Sequence, residues 1–522
     1  MEQVFDFQPF TGNWWLLQST ASTQIDEPVN LPKGSVPFCG LQQTEDNVKL
    51  FAAAVAKRFT DGGRPNVVIF SHGYSNSALA AEQRIRKAAC ETGKPPLNGE
   101  DQFYIGYRWP SETILSSWSG TFADAHPILL VAGLIGVLGF IAWFWPGLPL
   151  FVGFLAWGLV AFLIGYAVLR STVYYRDSYR AVNYGALDLC EFVRRFDGEL
   201  DECLPEGDCR VGLSIVGHSM GGLVVTTAIR ILSDLFEKSS IRRIVSEPKP
   251  PKSASGPMER AADSAPEAVP NLPNVERIRR EDLPSGNIGT SLTLLRMVLV
   301  SPDIPALALV SGRANFLGPS IRRCREAYLF SNGGDVVVGL ISICANYLGV
   351  PTQAEKNSVR LADVQVLAAE PGLYKMPSTT AQLNRILRIG QTTLAGLEQR
   401  CGGVADPDGQ VAGRFTFVDC TGFKDLTGKK RLSYLSGLQR PNLLFQIWGL
   451  GAYILKQFTP VGRDCHSGYF DFPETLRFIF GSAGVGLPAM WPYLPDGSKP
   501  TLDWVKEHGF RVMPGDSWGQ VS

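Results

Sequence analysis

The sequence predicts an α/β fold, a mostly parallel sheet with helices on both faces, from two observations. Short apolar, β-branched runs at 65–70, 103–107 and 211–216 are typical of buried strands. Stretches of helical periodicity at 44–60 and 78–89 alternate with these runs. This alternation favours parallel strands, because parallel neighbours need a long crossover connection that is usually a helix.

The same alternation continues along the rest of the chain. Residues 175–196 predict a polar helix, and residues 351–410 and 421–460 are interpreted as insertions around the last strand. The tail from about residue 482 is rich in Trp, Pro and Gly and is expected to wrap the surface. Further strand patterns occur at 294–300, 327–330 and 415–418.

Composition excludes several classes of protein. The 522 residues include 49 basic and 49 acidic side chains, so the chain lacks the basic balance typical of nucleic-acid binding. The ten cysteines form no Cys-x-x-Cys pair and only five histidines are present, so no zinc site is expected. We expect the cysteines to be mostly free thiols in a reducing compartment, and the N-terminus has no secretory signal pattern.

Residues 128–169 contain no charged side chain, and a Trp-Pro-Gly-Leu-Pro segment at 145–149 divides them into two apolar stretches. A membrane-spanning helix needs about 20 apolar residues, so the simplest interpretation is a transmembrane hairpin. Arg170, Arg176 and Arg180 follow it and favour a cytoplasmic position for the rest of the chain. A buried core hairpin, an apolar lid or a re-entrant hairpin remains an alternative.

A second unusual segment lies further on. Eight prolines fall between Pro248 and Pro284 without periodicity, which predicts a disordered or loosely packed insertion. The predicted organisation has seven parts. They are an N-terminal segment (1–60), a first part of the α/β core (61–127), the hairpin (128–169), a second core part (170–245), the proline-rich insertion (246–290), a third core part (291–480) and a tail (481–522).

The strongest chemical signal is Gly217-x-Ser219-x-Gly221, placed between an apolar strand pattern and a helix-compatible run. In a nucleophile elbow, a serine sits on a sharp strand-to-helix turn that exposes its hydroxyl, and the glycines avoid side-chain clashes. The N–H of Met220 would then lie at a helix N-terminus, where it can stabilise an oxyanion. An ordinary Gly/Ser turn before a helix is the alternative interpretation.

A serine nucleophile needs a general base, which follows it in the order Ser, Asp/Glu, His in this kind of sheet. Only His466 and His508 lie after Ser219. His466 lies in a loop after the last predicted strand and before a helical pattern, whereas His508 is expected at an exposed helix end. The prediction is therefore His466.

Three acids follow predicted strands and could orient the imidazole. Asp335 is preferred because Gly333-Gly334 before it allows a tight turn that can aim the carboxylate. Asp303 follows the preceding strand and is the alternative acid, and Asp419 is a weaker third candidate.

The second oxyanion donor is expected from the loop after the strand at 65–70. Gly73 permits an unusual backbone there, and the N–H of Tyr74 is the candidate donor. We interpret His72 as a structural residue that forms hydrogen bonds within this loop.

These segments together resemble a known group, the α/β-hydrolases, and within it a poorly characterised bacterial esterase- and lipase-like branch. Residues 70–77 (FSHGYSNS) are similar to its HGYNNS-type oxyanion loop, and 107–111 (YRWPS) to its WPS segment. Residues 218–221 (HSMG) match its elbow, 300–303 (VSPD) resemble its strand ending in PD, and 466–470 (HSGYF) resemble its histidine loop with one residue inserted. The elbow is also shared with lipases and GPI-inositol deacylase-like hydrolases. The resemblance covers roughly 60–240, 290–345 and 410–485, without the insertions.

The resemblance implies an α/β-hydrolase fold with an inserted transmembrane hairpin, and an ester or lipid hydrolase activity. We therefore expect a serine esterase or lipase anchored in the inner (cytoplasmic) membrane through 128–169, with Ser219, His466 and Asp335 as its triad. Its partners would be an ester or lipid substrate and the membrane, with no nucleic acid, and a homo-oligomer is compatible with the sequence. No cofactor or metal is required. The alternatives are a non-catalytic scaffold or binding module of the same fold, and a toxin-like lipase.

Overall fold

The structure is a computed structural model. It describes residues 3–21, 33–111, 173–205, 210–236, 288–310, 317–342, 359–367, 370–375, 380–390, 392–400, 410–429, 432–433, 448–449, 451–453, 464–490 and 501–515. The predicted hairpin at 128–169 and residues 246–287 of the proline-rich insertion lie outside these ranges. In the described ranges, no helix combines the length and apolar character needed to cross a membrane.

A ten-stranded sheet forms the centre of the molecule, in the order β1-β2-β4-β3-β5-β6-β7-β12-β13-β9. All strands from β2 to β12 in this order are parallel, whereas β1 and β13 run antiparallel to their inner neighbours. Strands β11, β10 and β8 form a separate small sheet. The strands are β1 (Phe5–Thr11), β2 (Trp14–Ser19), β3 (Asn66–Ser71), β4 (Gln102–Arg108), β5 (Val211–His218), β6 (Leu292–Val300), β7 (Glu326–Ser331), β8 (Val364–Val366), β9 (Gly372–Leu373), β10 (Leu387–Ile389), β11 (Thr392–Thr393), β12 (Phe415–Asp419) and β13 (Arg511–Met513).

Helices cover both faces of this sheet, so the predicted α/β class is confirmed. The α-helices are α1 (Leu41–Thr60), α2 (Ala78–Thr92), α3 (Ala186–Cys203), α4 (Met220–Phe236), α5 (Leu307–Val310), α6 (Leu317–Arg323), α7 (Thr380–Ile386), α8 (Leu394–Arg400), α9 (Gln410–Arg414), α10 (Pro473–Gly484), α11 (Leu487–Met490) and α12 (Thr501–Glu507). Residues 173–180 are also helical and run through a π-helical turn (Ala181–Gly185) into α3.

The sequence explains why the central elements form. Every residue of β3 and β5 is buried, as expected for central parallel strands covered on both faces. Helix α1 buries Val48, Phe51 and Val55 on a single stripe against one side of the sheet, together with α3 and α4. Helices α2 and α10 pack on the other side.

The topology places the carboxyl ends of β5, β6, β7 and β12 side by side. His218 pairs with Val300, and Val300 pairs with Phe330, so the segments after these strands emerge at one edge. In open α/β sheets this edge is the usual place for a binding crevice.

The tail differs from the prediction of a surface wrap. Strand β13 extends the sheet beside β12, and Trp504 and Phe510 are buried. A three-residue strand is too short to show a periodic pattern, so β13 could not be predicted from the sequence. The seven cysteines in the described ranges are free thiols.

Candidate active site

Ser219 occupies the sharp turn between β5 and α4, with φ of 54°. A positive φ is uncommon for a residue other than glycine and marks backbone strain. The turn is fixed by neighbours, since the Ser219 N–H donates to the Val300 carbonyl at 2.9 Å. A Cβ at Gly217 would lie 2.7 Å from the Gly222 Cα, and one at Gly221 would collide with the backbone after β3. Both glycines are therefore needed for the turn.

His466 approaches Ser219 from the loop that precedes α10. Its Nε2 lies 2.8 Å from the Ser219 Oγ, and the side chain is buried. The loop is held by Asp464, whose Oδ1 accepts the N–H groups of His466 (3.1 Å) and Ser467 (2.6 Å). These bonds hold the loop that places the imidazole within hydrogen-bonding distance of the Ser219 hydroxyl.

Asp335 completes the chain of hydrogen bonds. Its Oδ2 lies 2.7 Å from the His466 Nδ1. Its Oδ1 accepts the N–H groups of Val337 (3.1 Å) and Val338 (3.2 Å) at the π-helical turn after β7. The carboxylate is thus anchored through one oxygen and presents the other to the imidazole. Three residues separated by up to 247 positions form one continuous Ser-His-Asp arrangement.

The electrostatics of the site favour a basic imidazole at His466. Burial alone would lower its pKa, but the charge and the hydrogen bond of Asp335, with Asp464 and Asp303 nearby, raise the pKa of His466 above its usual value. Burial instead lowers the pKa of His218 well below its usual value. His218 is therefore neutral, and its Nε2–H donates to the His466 carbonyl oxygen at 3.1 Å.

The carboxylates of the two alternative acids are held by other partners, although the Asp303 N–H donates to the Ser219 carbonyl at 3.2 Å. Asp303 is buried and its carboxylate lies 3.3 Å from the Arg360 Nε, in a buried ion pair. Asp419 accepts the N–H groups of Val366 (3.0 Å) and Thr421 (2.9 Å), which connects β12 to β8. Neither carboxylate has a hydrogen bond to His466 among the described contacts.

His508 is not at the exposed position that the sequence predicts. Its ring is buried, stacks on Trp504 with 4.4 Å between centroids, and its Nδ1 lies 2.9 Å from the Trp504 carbonyl oxygen. The last residues of α12, Lys506 and Glu507, are exposed, but His508 directly after them is buried against Trp504.

The loop after β3 passes close to Ser219. A Cβ at Gly73 would lie 2.8 Å from the Ser219 Cβ, so only glycine permits this approach. The loop is secured by Asn76, whose side-chain amide donates to the carbonyls of Gly73 (2.7 Å) and Tyr74 (3.0 Å). The Gly73 backbone, directly before the predicted donor Tyr74, thus lies beside Ser219. Met220, the other predicted donor, is the first residue of α4.

His72 has the structural role that we predict from the sequence. Its Nδ1 lies 2.8 Å from the Gly73 carbonyl oxygen, and its ring stacks on Trp109 at 5.3 Å. The Trp109 Nε1–H donates to the His72 carbonyl at 2.7 Å. Burial lowers the pKa of His72 to about 3, so it stays neutral at ordinary pH.

Two residues of the site escape the sequence reasoning. The Ser301 hydroxyl donates to the same Asp335 oxygen that faces His466, and it lies 3.4 Å from the His466 Nδ1. The backbone of Ser301 has a φ of 43°. The Asp177 carboxylate accepts the Ser75 N–H at 2.9 Å, where the oxyanion loop turns at φ of 55°. Ser301 could have been noticed as the residue after a strand that neighbours the elbow strand. Asp177 has no sequence signal, because it lies 102 positions from its partner.

The geometry thus defines a candidate acyl-transfer site of the nucleophile, base and acid type on an α/β fold. Comparisons of the chain with protein-family models, with curated proteins and with solved structures find no match.

Proposed function

We propose that this protein is a membrane-anchored serine hydrolase of the α/β-hydrolase class that cleaves carboxylic esters, with lipid esters as its preferred substrates. The observation that carries the proposal is the continuous hydrogen-bonded chain from the Ser219 Oγ through His466 to Asp335. The positions of these residues, after β5, after β12 and after β7, agree with the Ser, Asp, His chain order of this class.

The proposed reaction begins when the Ser219 Oγ attacks the ester carbonyl carbon and His466 Nε2 accepts the hydroxyl proton. The carbonyl oxygen becomes an oxyanion, which the N–H groups of Tyr74 and Met220 stabilise. Asp335 holds the imidazole in the tautomer that presents Nε2 to the serine and supports its positive charge. His466 then returns the proton to the leaving alcohol, and a water molecule releases the acid by the same route.

Support for a lipid substrate comes from the sequence. The uncharged segment 128–169 leaves the core between β4 and β5, and β5 carries the nucleophile. A hydrolase held beside a bilayer in this way encounters its lipid esters directly.

The test of the proposal combines a mechanism probe with a substrate panel. Detergent-purified full-length protein would be treated with a fluorophosphonate, which reacts readily only with an activated serine. In parallel, p-nitrophenyl esters of increasing chain length and mixed phospholipid vesicles would be compared as substrates. Labelling with a preference for long-chain or phospholipid esters supports the proposal. Labelling together with a preference for short esters would contradict the proposal of lipid substrates. The absence of both labelling and turnover would instead support a non-catalytic scaffold.

The pH dependence of the reaction should report the raised pKa of His466. Protonated His466 cannot accept the serine proton, so we expect kcat/KM to rise with pH through a midpoint above 6.5, the usual value for imidazole. Burial also raises the pKa of Asp177 to about 6. Protonation of Asp177 at low pH weakens its bond to the Ser75 N–H, and this also lowers kcat/KM at low pH. The measurement is a kcat/KM profile on a soluble ester.

The variant Asp177→Asn separates the two contributions, because its side-chain oxygen still accepts the Ser75 N–H but does not titrate there. The pH dependence of kcat/KM that remains in this variant reports the titration of His466. A midpoint below 6.5 in this variant would contradict the assignment of His466 as a base supported by Asp335.

Ser301 should act as a positioning residue for Asp335. The Ser301 hydroxyl donates to the Asp335 oxygen that faces His466, so its loss leaves the carboxylate less firmly positioned, and Ser301→Ala should lower kcat/KM by roughly tenfold. The hydroxyl stabilises the Asp335 charge, so its loss should make the carboxylate a stronger partner of the imidazolium. We therefore also expect the midpoint of the pH profile to move upward.

Ser301→Gly is the matched control, because it removes the hydroxyl and also relieves the positive φ at this position. Both variants should show the same shift of the pH profile if the hydroxyl is responsible. An unchanged midpoint in both would reduce Ser301 to a structural residue of the turn.

A further inference from the structure

The helical segment from 173 to 190 has an unusual exposed surface. Its exposed side chains are Tyr179, Val182, Asn183, Tyr184 and Leu187, and none of them is charged. Tyr179 is 59 % exposed and Leu187 is 50 % exposed. The rings of Tyr179 and Tyr184 pack edge to face, with 6.1 Å between their centroids. We call these five residues the Tyr179 face.

The other long helices on the protein surface do not share this pattern. The exposed positions of α1 include Asp46, Lys49 and Lys57 around the isolated apolar residue Leu50. Those of α2 include Arg86 and Lys87. Charged exposed positions are the ordinary arrangement for a helix that faces water. The remaining large exposed apolar side chains in the described ranges, Leu50, Leu426 and Trp448, are far apart in the sequence.

Three of the four charged residues of the 173–190 segment are buried, and the fourth, Arg176, is partly exposed. Asp177 is fully buried, where the Arg176 Nη2 lies 3.0 Å from its Oδ1 and its Oδ2 accepts the Ser75 N–H. Arg180 and Asp188 are also buried. The segment therefore directs most of its charge inward and presents an uncharged, largely apolar surface outward, a pattern that marks an interaction surface.

The chain length limits what can lie against this face. Leu169 ends the 42-residue run without charge at 128–169, and Tyr179 follows only ten residues later. Ten residues span at most about 35 Å when fully extended and about 15 Å as a helix. If the run lies in a bilayer, Tyr179, the first residue of the face, lies within that distance of the same bilayer. Tyrosine is enriched at membrane–water interfaces, where its ring is apolar and its hydroxyl is hydrated.

We propose that the Tyr179 face docks on the lipid bilayer at the boundary between headgroups and acyl chains; this inference rests on the proposed membrane anchorage. The same helical turn carries Asp177, which holds the oxyanion loop at Ser75. The surface that contacts lipid and the residue that fixes the loop over Ser219 thus belong to one element. Bilayer contact therefore sets the position of the active site relative to its lipid substrates.

A photo-crosslinking experiment on the full-length protein tests this docking surface. p-Benzoylphenylalanine would replace Leu187 in one variant and Leu50 in the matched control, where the side chain is 60 % exposed on α1. A third variant carries it at Trp157, inside the uncharged run. Each protein would be reconstituted in vesicles of phosphatidylcholine and phosphatidylglycerol, irradiated, and analysed by intact mass and peptide mapping.

We expect lipid adducts at positions 187 and 157, with a yield several times that at position 50. An adduct at 157 without one at 187 would overturn the docking surface alone. A crosslink from 187 to residues 112–172, or to a second copy of the chain, would likewise overturn it, because the face would then be covered by protein. If no lipid adduct forms at either position 157 or position 187, the proposal of membrane anchorage itself is contradicted. Fluorophosphonate labelling of each variant would show independently whether the fold and the serine site are intact.

Discussion

Replacing Ser219 by alanine should abolish ester hydrolysis and fluorophosphonate labelling while leaving the fold intact. Loss of the nucleophile in a serine hydrolase costs on the order of 10⁵- to 10⁶-fold in kcat, because the base and acid have no role without it. Alanine keeps the Cβ and the backbone conformation of the turn. The measurements are turnover of the best ester of the panel and gel detection of the labelled protein.

Ser214→Ala is the matched control for this variant. Ser214 lies on β5, the strand that leads into the turn at Ser219, and its hydroxyl donates to the Asn66 side chain at 2.9 Å. We expect this variant to remain labelled and active, with a small loss of stability. Equal turnover by Ser219→Ala and the unmodified protein would refute the serine mechanism, whatever the source of the activity.

Replacing Asp335 by asparagine should have the second largest effect. The amide can hold the imidazole in place, but it favours the wrong tautomer and cannot support the imidazolium charge. The expected loss in kcat is roughly 10⁴-fold. The pKa of His466 should also fall, because the carboxylate is a main cause of its elevation. Single-turnover kinetics and the pH profile of the residual activity measure both effects.

Asp303→Asn provides the contrast, since both acids follow neighbouring strands and both are buried. Asp303 is paired with Arg360, so this change should reduce the free energy of unfolding by a few kcal/mol, the typical penalty for breaking a buried ion pair. Its kcat per folded molecule should stay far above that of Asp335→Asn. The reverse order of activities would transfer the role of the acid to Asp303.

The comparison of these two acids shows where sequence reasoning stops. Strand patterns place both residues at the same edge of the sheet, because parallel strands end together. Which carboxylate reaches the imidazole depends on the turn that follows each strand and on distant partners. Asp335 turns back through two glycines toward His466, whereas Asp303 meets Arg360 from a segment after β7. The sequence can suggest the first difference but contains no sign of the second.

The loop after β3 also combines a feature that the sequence predicts with features that it does not. Gly73 could be predicted as the close approach, because a strand followed by His-Gly-Tyr is a recognisable local pattern. The loop is supported by Trp109 and Ser111, which follow β4, and by Asp177 within the helical segment at 173–180. Only the folded chain brings these groups beneath a single turn.

The amino-acid sequence by itself determined the α/β class, the strained turn at Ser219 and the choice of His466. These features follow from local periodicity, from the glycines that a sharp turn requires, and from the chain order that a parallel sheet imposes. The tertiary structure decided the partner of each buried carboxylate, the hydrogen bond from Ser301 to Asp335, and the burial of His508. It also placed β1, β2 and β13 in the main sheet. The physical reason is that these features depend on contacts between residues far apart in the chain, whose energies are set by burial and charge in the assembled fold.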